Sequence, residues 1–297
     1  MSDDLIRSAC EFIETVTERF YPLNNEPIGN SFHWEKLSFR VYPGEVSIWS
    51  GYNGHGKSIF TSQVCLDMTN FGDKGLIASF EMSGMKILYR MVRQVLGKAN
   101  PSQLEIRNAL EWLGKKIFIY DKTGTGSKDT LLRVFKRAFE KEGVNHFFID
   151  SLMKCGLDPE DYKGQKNFVD SFQNFAQEHK VHVNIIAHSR KGATEEEKPG
   201  KFDIRGAGEI SDLADNVFMI WRNKKKERLC QQWFDIRSLP SGQTIEKLER
   251  EYDCIIDCCK HREMGGEAEG QYGFYFHRPS FQFIDKFNQC PLTYYEG

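Results

Sequence analysis

Eight residues in a row carry the most distinctive chemistry of the chain: Gly51, Tyr52, Asn53, Gly54, His55, Gly56, Lys57 and Ser58. Together they satisfy the spacing GxxxxGK[ST], directly after an apolar run and, with Ile59, at the start of a helix-like stretch. Glycines at these positions let the backbone close around phosphate groups. Its N–H groups and the following helix N-terminus then face the negative charge. In such a loop Lys57 reaches the β- and γ-phosphates, and Ser58 ligates Mg2+. Three more polar residues each end an apolar run: Glu81 after 76–80, Asp150 after 147–149 and His188 after 185–187. Hydrolysis needs a group that positions water, and Glu81 is the candidate carboxylate. Asp150 suits a carboxylate that holds Mg2+ through its water shell, and His188 a sensor of the γ-phosphate. The expected cofactors are ATP, or another nucleoside triphosphate, with Mg2+.

Chemistry of this kind needs a scaffold that brings strand ends together. Short apolar runs at 46–50, 75–80, 144–149, 181–187 and 216–221 alternate with charged helix-like stretches such as 130–142 and 167–180. That alternation predicts an α/β fold with a mostly parallel central sheet. In a parallel sheet, ligands bind outside the carboxyl ends of the strands. Glu81, Asp150 and His188 should therefore meet beside the phosphate loop. Beyond Lys224 the pattern changes to short strand-like pieces at 253–258, 272–277 and 281–284, which predict antiparallel hairpins at one sheet edge.

The chain has 297 residues, enough for one large α/β domain and a short extension. Leu5, Ile6, Ala9, Phe12, Ile13, Val16 and Phe20 recur near helical spacing, and the stretch around Pro22 and Pro27 reads as a connector. The expected division is an N-terminal helix and linker over 1–30, then a phosphate-loop domain over 31–297. Such a helix packs either on its own domain or on a neighbouring subunit. No run is apolar for long enough to span a membrane, and the acidic N-terminus has no signal-peptide pattern. The expected location is therefore the cytoplasm. A formal net charge of −2 does not advertise nucleic acid, although basic residues can be confined to one inner surface. The eight cysteines form no CxxC pair. Cys254, Cys258, Cys259 and His261 lie close together, but in a strand-like run without a clear metal tetrad, so reduced structural thiols are expected.

Several blocks resemble superfamily 4, the DnaB-type hexameric replicative DNA helicases. Residues 79–83 (Ser-Phe-Glu-Met-Ser) look like the segment that carries their catalytic glutamate, and 147–151 (Phe-Phe-Ile-Asp-Ser) resemble their Walker B strand. Residues 187–191 and 203–215 are similar to the block with a γ-phosphate sensor and a DNA-binding loop. Residues 259–266 resemble the last block, in which a Lys-x-Arg reaches into the neighbouring subunit's site, here Lys260 and Arg262. Order and spacing match from about Phe39 to Asp285. A histidine sensor is closest to the phage primase–helicase and Twinkle branch. The resemblance implies a RecA-like core, ATP sites at subunit interfaces and a homo-oligomer, expected to be a hexamer. Asp212 stands where these helicases often carry Gln, a departure at one γ-phosphate contact. A primase domain does not fit within this length, so either a stand-alone helicase or a piece of a longer protein is expected.

Under that resemblance, Arg190, Lys191, Lys201, Arg205 and Gly206 would meet the backbone of single-stranded DNA, and Arg222 would border the nucleobase with Tyr275 or His277. The loop itself reads as mobile with basic ends, interrupted by Glu195, Glu196 and Glu197. A second loop with Lys154 and Lys163 is a lesser candidate. A primase and a DNA polymerase are the further partners implied, and the setting is a bacterial or phage-infected host cytoplasm. Two other readings share the phosphate loop: a filament-forming RecA or RadA-like recombinase and a KaiC-like signalling ATPase.

Overall fold

The computed structural model describes residues 7–22, 29–70, 72–158, 161–190, 194, 196–204 and 207–295. Six parallel strands form the core of the sheet: β1 (Val46–Ser50), β2 (Gly75–Ser79), β3 (Ile117–Ile119), β4 (His146–Asp150), β5 (His182–Ile186) and β6 (Asn216–Arg222). Three antiparallel strands extend one edge: β7 (Cys254–His261), β8 (Gly270–His277) and β9 (Gln282–Ile284). The order across the nine strands is β3-β2-β4-β5-β1-β6-β7-β8-β9. It is the RecA-like α/β arrangement, with a parallel centre and C-terminal hairpins.

Both faces of the parallel strands are covered, which is why these runs are mostly apolar and why buried polar side chains in them are paired, as Ser47 is with His182 and Asn184 with Trp49. Side chains alternate across the pleat. Trp49, Ile77, Phe148, Ile186 and Phe218 face one core, under α2 (Lys57–Asn70), α3 (Gly84–Leu96) and α4 (Gln103–Leu113). Ile48, Ala78, Ile149, Ile185 and Val217 face the other, under α5 (Lys128–Glu142), α6 (Tyr162–His179) and α7 (Ala207–Leu213). Aromatic stacking anchors the first core: Trp49 lies 4.2 Å from Phe218 and Trp34 lies 4.9 Å from Phe60, centroid to centroid. Each such pair adds about 0.5–1.5 kcal/mol beyond its area burial. Local signals start the helices. Ser102 and Glu105 close a capping box on α4, and the Ser127 hydroxyl accepts the Thr130 N–H at the head of α5.

The expectation for the region beyond Lys224 needs correction. Two helices, α8 (Lys224–Ile236) and α9 (Ile245–Glu249), precede the hairpins. Asn223 caps α8 by accepting the Lys226 N–H, and few of its residues are buried. The apolar residues of α8 do recur at helical spacing, but they follow a charged first turn and few of them are buried. Strand β3 was also not anticipated. It is a three-residue edge strand paired only with β2, too short to show a period.

The N-terminal helical pattern resolves into a 3-10 turn (Ala9–Phe12) and α1 (Ile13–Phe20), with Phe12, Ile13, Val16 and Phe20 exposed. Leu5, Ile6 and most of the connector lie outside the described residues. Arg19 near the end of α1 pairs with Glu263 and lies over the Tyr42 ring. Among the described residues no helix is long and apolar enough to cross a membrane.

Candidate nucleotide site

The phosphate loop joins β1 to α2. Gly51 has φ +153°, and a Cβ there would collide with the Ile220 carbonyl of the adjacent β6, so only glycine lets the two strands close up at this point. A Cβ on Gly54 would meet nothing within 4 Å, so open space stands beside the loop. Lys57 opens α2 and folds back. Its Nζ donates to the carbonyls of Gly51 and Tyr52, both at 3.0 Å, and lies 3.2 Å from His188 Nδ1. Burial pulls the Lys57 ammonium down to about 8, against the opposing pull of Asp150 and Glu81.

Strand order assembles the rest. β2, β4, β5, β1 and β6 are consecutive in the sheet and parallel, so their carboxyl ends lie along one rim. Glu81, Asp150 and His188 follow or end three of these strands beside the loop. Ser58 Oγ donates to Asp150 Oδ2 at 2.8 Å. Asp150 is buried, and burial raises its pKa. His188 Nε2 lies 3.1 Å from Glu81 Oε1 and 3.2 Å from Ser151 Oγ, and the Ser151 hydroxyl donates to the same Glu81 oxygen at 2.8 Å. Lys57 donates to Nδ1 when Nε2 carries the ring proton, and that proton then points at Glu81. The His188 hydrogen bond is the main reason the Glu81 carboxyl is held down at about 2, outweighing the opposing effect of burial, with the Ser151 hydroxyl adding a smaller pull downward.

These groups line a cleft of about 680 Å3 that also includes Asn53, Gly54, Gly56, Ile59 and Arg222. His55 is buried beneath the loop, where its Nδ1 accepts the Arg222 N–H at 3.0 Å. The Arg222 guanidinium reaches the Gly54 carbonyl at 3.2 Å and Glu227 at 2.7 Å. The donor set suits a nucleoside triphosphate. A lysine and a helix N-terminus meet phosphate charge, while one hydroxyl and one buried carboxylate give Mg2+ the hard oxygens it takes.

Arg90, Met153 and Lys154 line the same cleft without having been singled out as nucleotide residues. No motif marks Arg90. It sits on α3 beside the buried Ile87 and Met91, and helical periodicity alone does not tell a cleft-facing flank from a solvent-facing one. Lys154, considered above as a DNA contact, faces the phosphate side. Tyr275 and His277 are not among the cleft residues: the Tyr275 hydroxyl donates to Arg250 O at 2.9 Å, and His277 Nδ1 lies 2.7 Å from Ser280 Oγ.

The loop after His188 is closed at its base by a bridge between Ser189 and Ile204, with Arg190 N–H donating to Asp203 O at 2.6 Å. The Arg190 guanidinium lies 3.4 Å from Tyr162 Oη, and Lys201 opens a 3-10 turn with its ammonium 5.2 Å from the Phe202 ring centre. Lys191, Arg205 and Gly206 lie outside the described residues. Lys260 and Arg262, at the end of β7, stand apart from the cleft. β7 runs antiparallel to β6, pairing Cys254 with Arg222 and His261 with Asn216. It therefore ends at the rim opposite the phosphate loop, about 20 Å away at 3.3 Å per residue. On the same strand Cys258 faces the first core and Cys259 the second. Burial pushes both thiols up to about 12, as for inert structural cysteines.

One prediction follows from Lys57. Its depressed pKa leaves a share of the ammonium neutral near pH 8 to 9, and triphosphate charge would restore the proton. Nucleotide binding at pH 8 should take up roughly half a proton, and far less at pH 6.5. Titration calorimetry in buffers of different ionisation enthalpy measures this. Uptake that is equal at both pH values, or retained in Lys57→Met, counts against it.

A phosphate loop feeding a helix, with acidic and histidine strand ends on the same rim of a RecA-like sheet, defines a P-loop nucleotide-binding domain. The chain belongs to the family described as the AAA domain, whose model matches residues 38–194, just over half of its length. Among solved structures it is similar to an ATPase domain at TM-score 0.72 and 17% identity, covering 94% of this chain and 99% of that one. It is equally similar, at TM-score 0.72 and 17% identity, to a DnaB-like replicative helicase studied for its interactions with primase, covering 93% and 68%. At that identity the likeness is one of fold.

Proposed function

We propose that this chain is the motor unit of a ring-shaped DNA helicase, hydrolysing ATP at sites completed by a neighbouring copy and translocating on single-stranded DNA. The observation that carries the reading is the separation of two half-sites on one chain. Phosphate-loop groups occupy one rim of the sheet, while Lys260 and Arg262 occupy the opposite rim of its extended edge. Cations that far from their own cleft serve phosphate chemistry only across a subunit boundary. Order and spacing of the motifs, the Lys-x-Arg block above all, support a ring over a filament.

In this reading Lys57 and the α2 N-terminus hold the β- and γ-phosphates, and Ser58 and Asp150 hold Mg2+, which neutralises phosphate charge. Glu81 orients the attacking water. A carboxylate held near 2 is a weak base, so it must first shed the His188 hydrogen bond. His188 gives it up by turning toward the γ-phosphate, and so links nucleotide state to the loop that begins at Arg190. That loop, through Arg190, Lys191, Lys201, Arg205 and Gly206, meets the DNA backbone without sequence preference. The arm over 1–30 supports assembly. Its exposed Phe12, Ile13, Val16 and Phe20 match an apolar groove of about 560 Å3 between α3 and α4, lined by Met85, Leu88, Tyr89, Ile106 and Leu110. We propose that the arm of one copy covers the groove of the next. A hexamer in a bacterial or phage-infected host cytoplasm, working with a primase and a polymerase, completes the reading.

Three measurements on one preparation test it. Expected are closed rings in electron micrographs with a non-hydrolysable ATP analogue, ATP hydrolysis stimulated by single-stranded DNA, and unwinding of a forked duplex. Filaments with strand exchange would indicate a recombinase. ATP turnover indifferent to DNA would indicate a signalling ATPase.

A further inference from the structure

Residue Asp215, which follows α7 and precedes β6, has two sets of partners. On its buried side, Oδ2 accepts the Val46 N–H at 2.8 Å and its own N–H donates to Val46 O at 2.9 Å, tying it to the first residue of the phosphate-loop strand. On its outer side, Oδ1 pairs with Arg262 Nη1 at 3.1 Å, and its carbonyl accepts the Arg262 N–H at 2.9 Å. The Asp215 side chain is 5% exposed and the Arg262 side chain 53%. Arg262 is thus gripped along one edge and open to solvent along the other. The α7 C-terminus supplies the rest of the grip. Leu213 O accepts from Arg262 Nη2 at 3.3 Å, and Lys260 Nζ donates to the carbonyls of Ser211, Asp212 and Ala214 at 3.0, 2.9 and 2.7 Å. Both cations sit where the helix dipole is negative.

We infer that Asp215 is a positioning residue for Arg262, and that α7 is the relay that sets this position. The inference rests on the intersubunit role proposed for Arg262. Asp215 holds one edge of the guanidinium against the sheet so that the other points outward, at a fixed height above the rim. α7 begins three residues after Ile204, where the loop from His188 returns to its base. A shift of that loop moves α7, and the carbonyls that hold Lys260 and Arg262 move with it. Each subunit's own loop thereby sets the reach of the cations it presents to its neighbour. Asp212 takes part in this grip through its backbone carbonyl, and its carboxylate also attracts the Lys260 ammonium.

The test is Asp215→Asn in the assembled protein. Asparagine has the same shape and still accepts the Val46 N–H, but it removes the charge that holds Arg262. Expected is a fall in kcat of about 10- to 100-fold, the scale of a misplaced catalytic group, with KM for ATP unchanged. On an Arg262→Ala background the same change should cost nothing more. Mixing Asp215→Asn chains with Lys57→Ala chains should restore part of the activity, because each lacks what the other supplies. Thermal unfolding monitors the fold, and Asp215→Glu, which keeps the charge but displaces it, should show the same kcat defect if the asparagine variant is unstable. A loss that adds to that of Arg262→Ala, or that appears in KM, would reduce Asp215 to a sheet fastener. If Arg262→Ala itself leaves turnover intact, the intersubunit reading falls first and this inference falls with it.

Discussion

Replacing Glu81 with glutamine should lower steady-state ATP hydrolysis by about 10²- to 10⁴-fold, the usual contribution of a positioned general base, while ATP binding survives. Glutamine keeps the length of the side chain and an oxygen for the Ser151 hydroxyl, whose bond to Glu81 measures 2.8 Å. It loses the charge that draws a proton from water. The phosphate-binding groups, Lys57 and the start of α2, are untouched, so nucleotide affinity should change little. Filter binding or fluorescence titration with an ATP analogue, beside a phosphate-release assay, separates the two quantities. A Glu81→Gln protein that hydrolyses within threefold of the parent would rule Glu81 out as the base. Equal loss of binding and turnover would place it in ground-state binding instead.

Arg262→Ala should be comparably severe, but for a reason that lies in the neighbour. An arginine that stabilises transition-state charge contributes about 10³ to 10⁵ in rate. The guanidinium here lies beyond the end of β7, at the rim opposite its own phosphate loop. The loss should therefore appear only in assembled protein and leave the chain's own ATP affinity nearly intact. Because one defect lies in the donor and the other in the acceptor half-site, mixtures of Arg262→Ala with Lys57→Ala should recover activity that neither has alone. In a dilution series, specific activity of the parent should fall as the assembly dissociates. Turnover per chain that is constant across dilution, or mixtures no more active than their components, would refute the assignment.

Features that depend on short stretches of backbone were legible in the chain before any fold was known. The phosphate loop is the clearest, because a strand, a run of glycines and a Lys-Ser pair sit within a few residues and only glycine tolerates the Gly51 geometry. The parallel strands could be read too, since burial on both faces leaves them mostly apolar. Their ends at Glu81, Asp150 and His188 follow from the same apolar runs. Helices α5 and α6 were visible as charged, periodic stretches.

What stayed hidden depends on partners distant in sequence. The order β2-β4-β5-β1-β6 places the four chemical strand ends and Arg222 on one rim. It is set by crossover connections between strands distant in sequence, which no local pattern encodes. A three-residue edge strand such as β3 takes its conformation from β2, and α8, though helically spaced, buries few residues, so its place in the fold is not written in its own stretch. The entry of Arg90 into the cleft and the grip of Asp215 on Arg262 arise only when separate elements pack. Residue types and local spacing therefore determined which chemistry this chain can perform, whereas long-range packing alone decided which side chains share a site and which are held out for a neighbour.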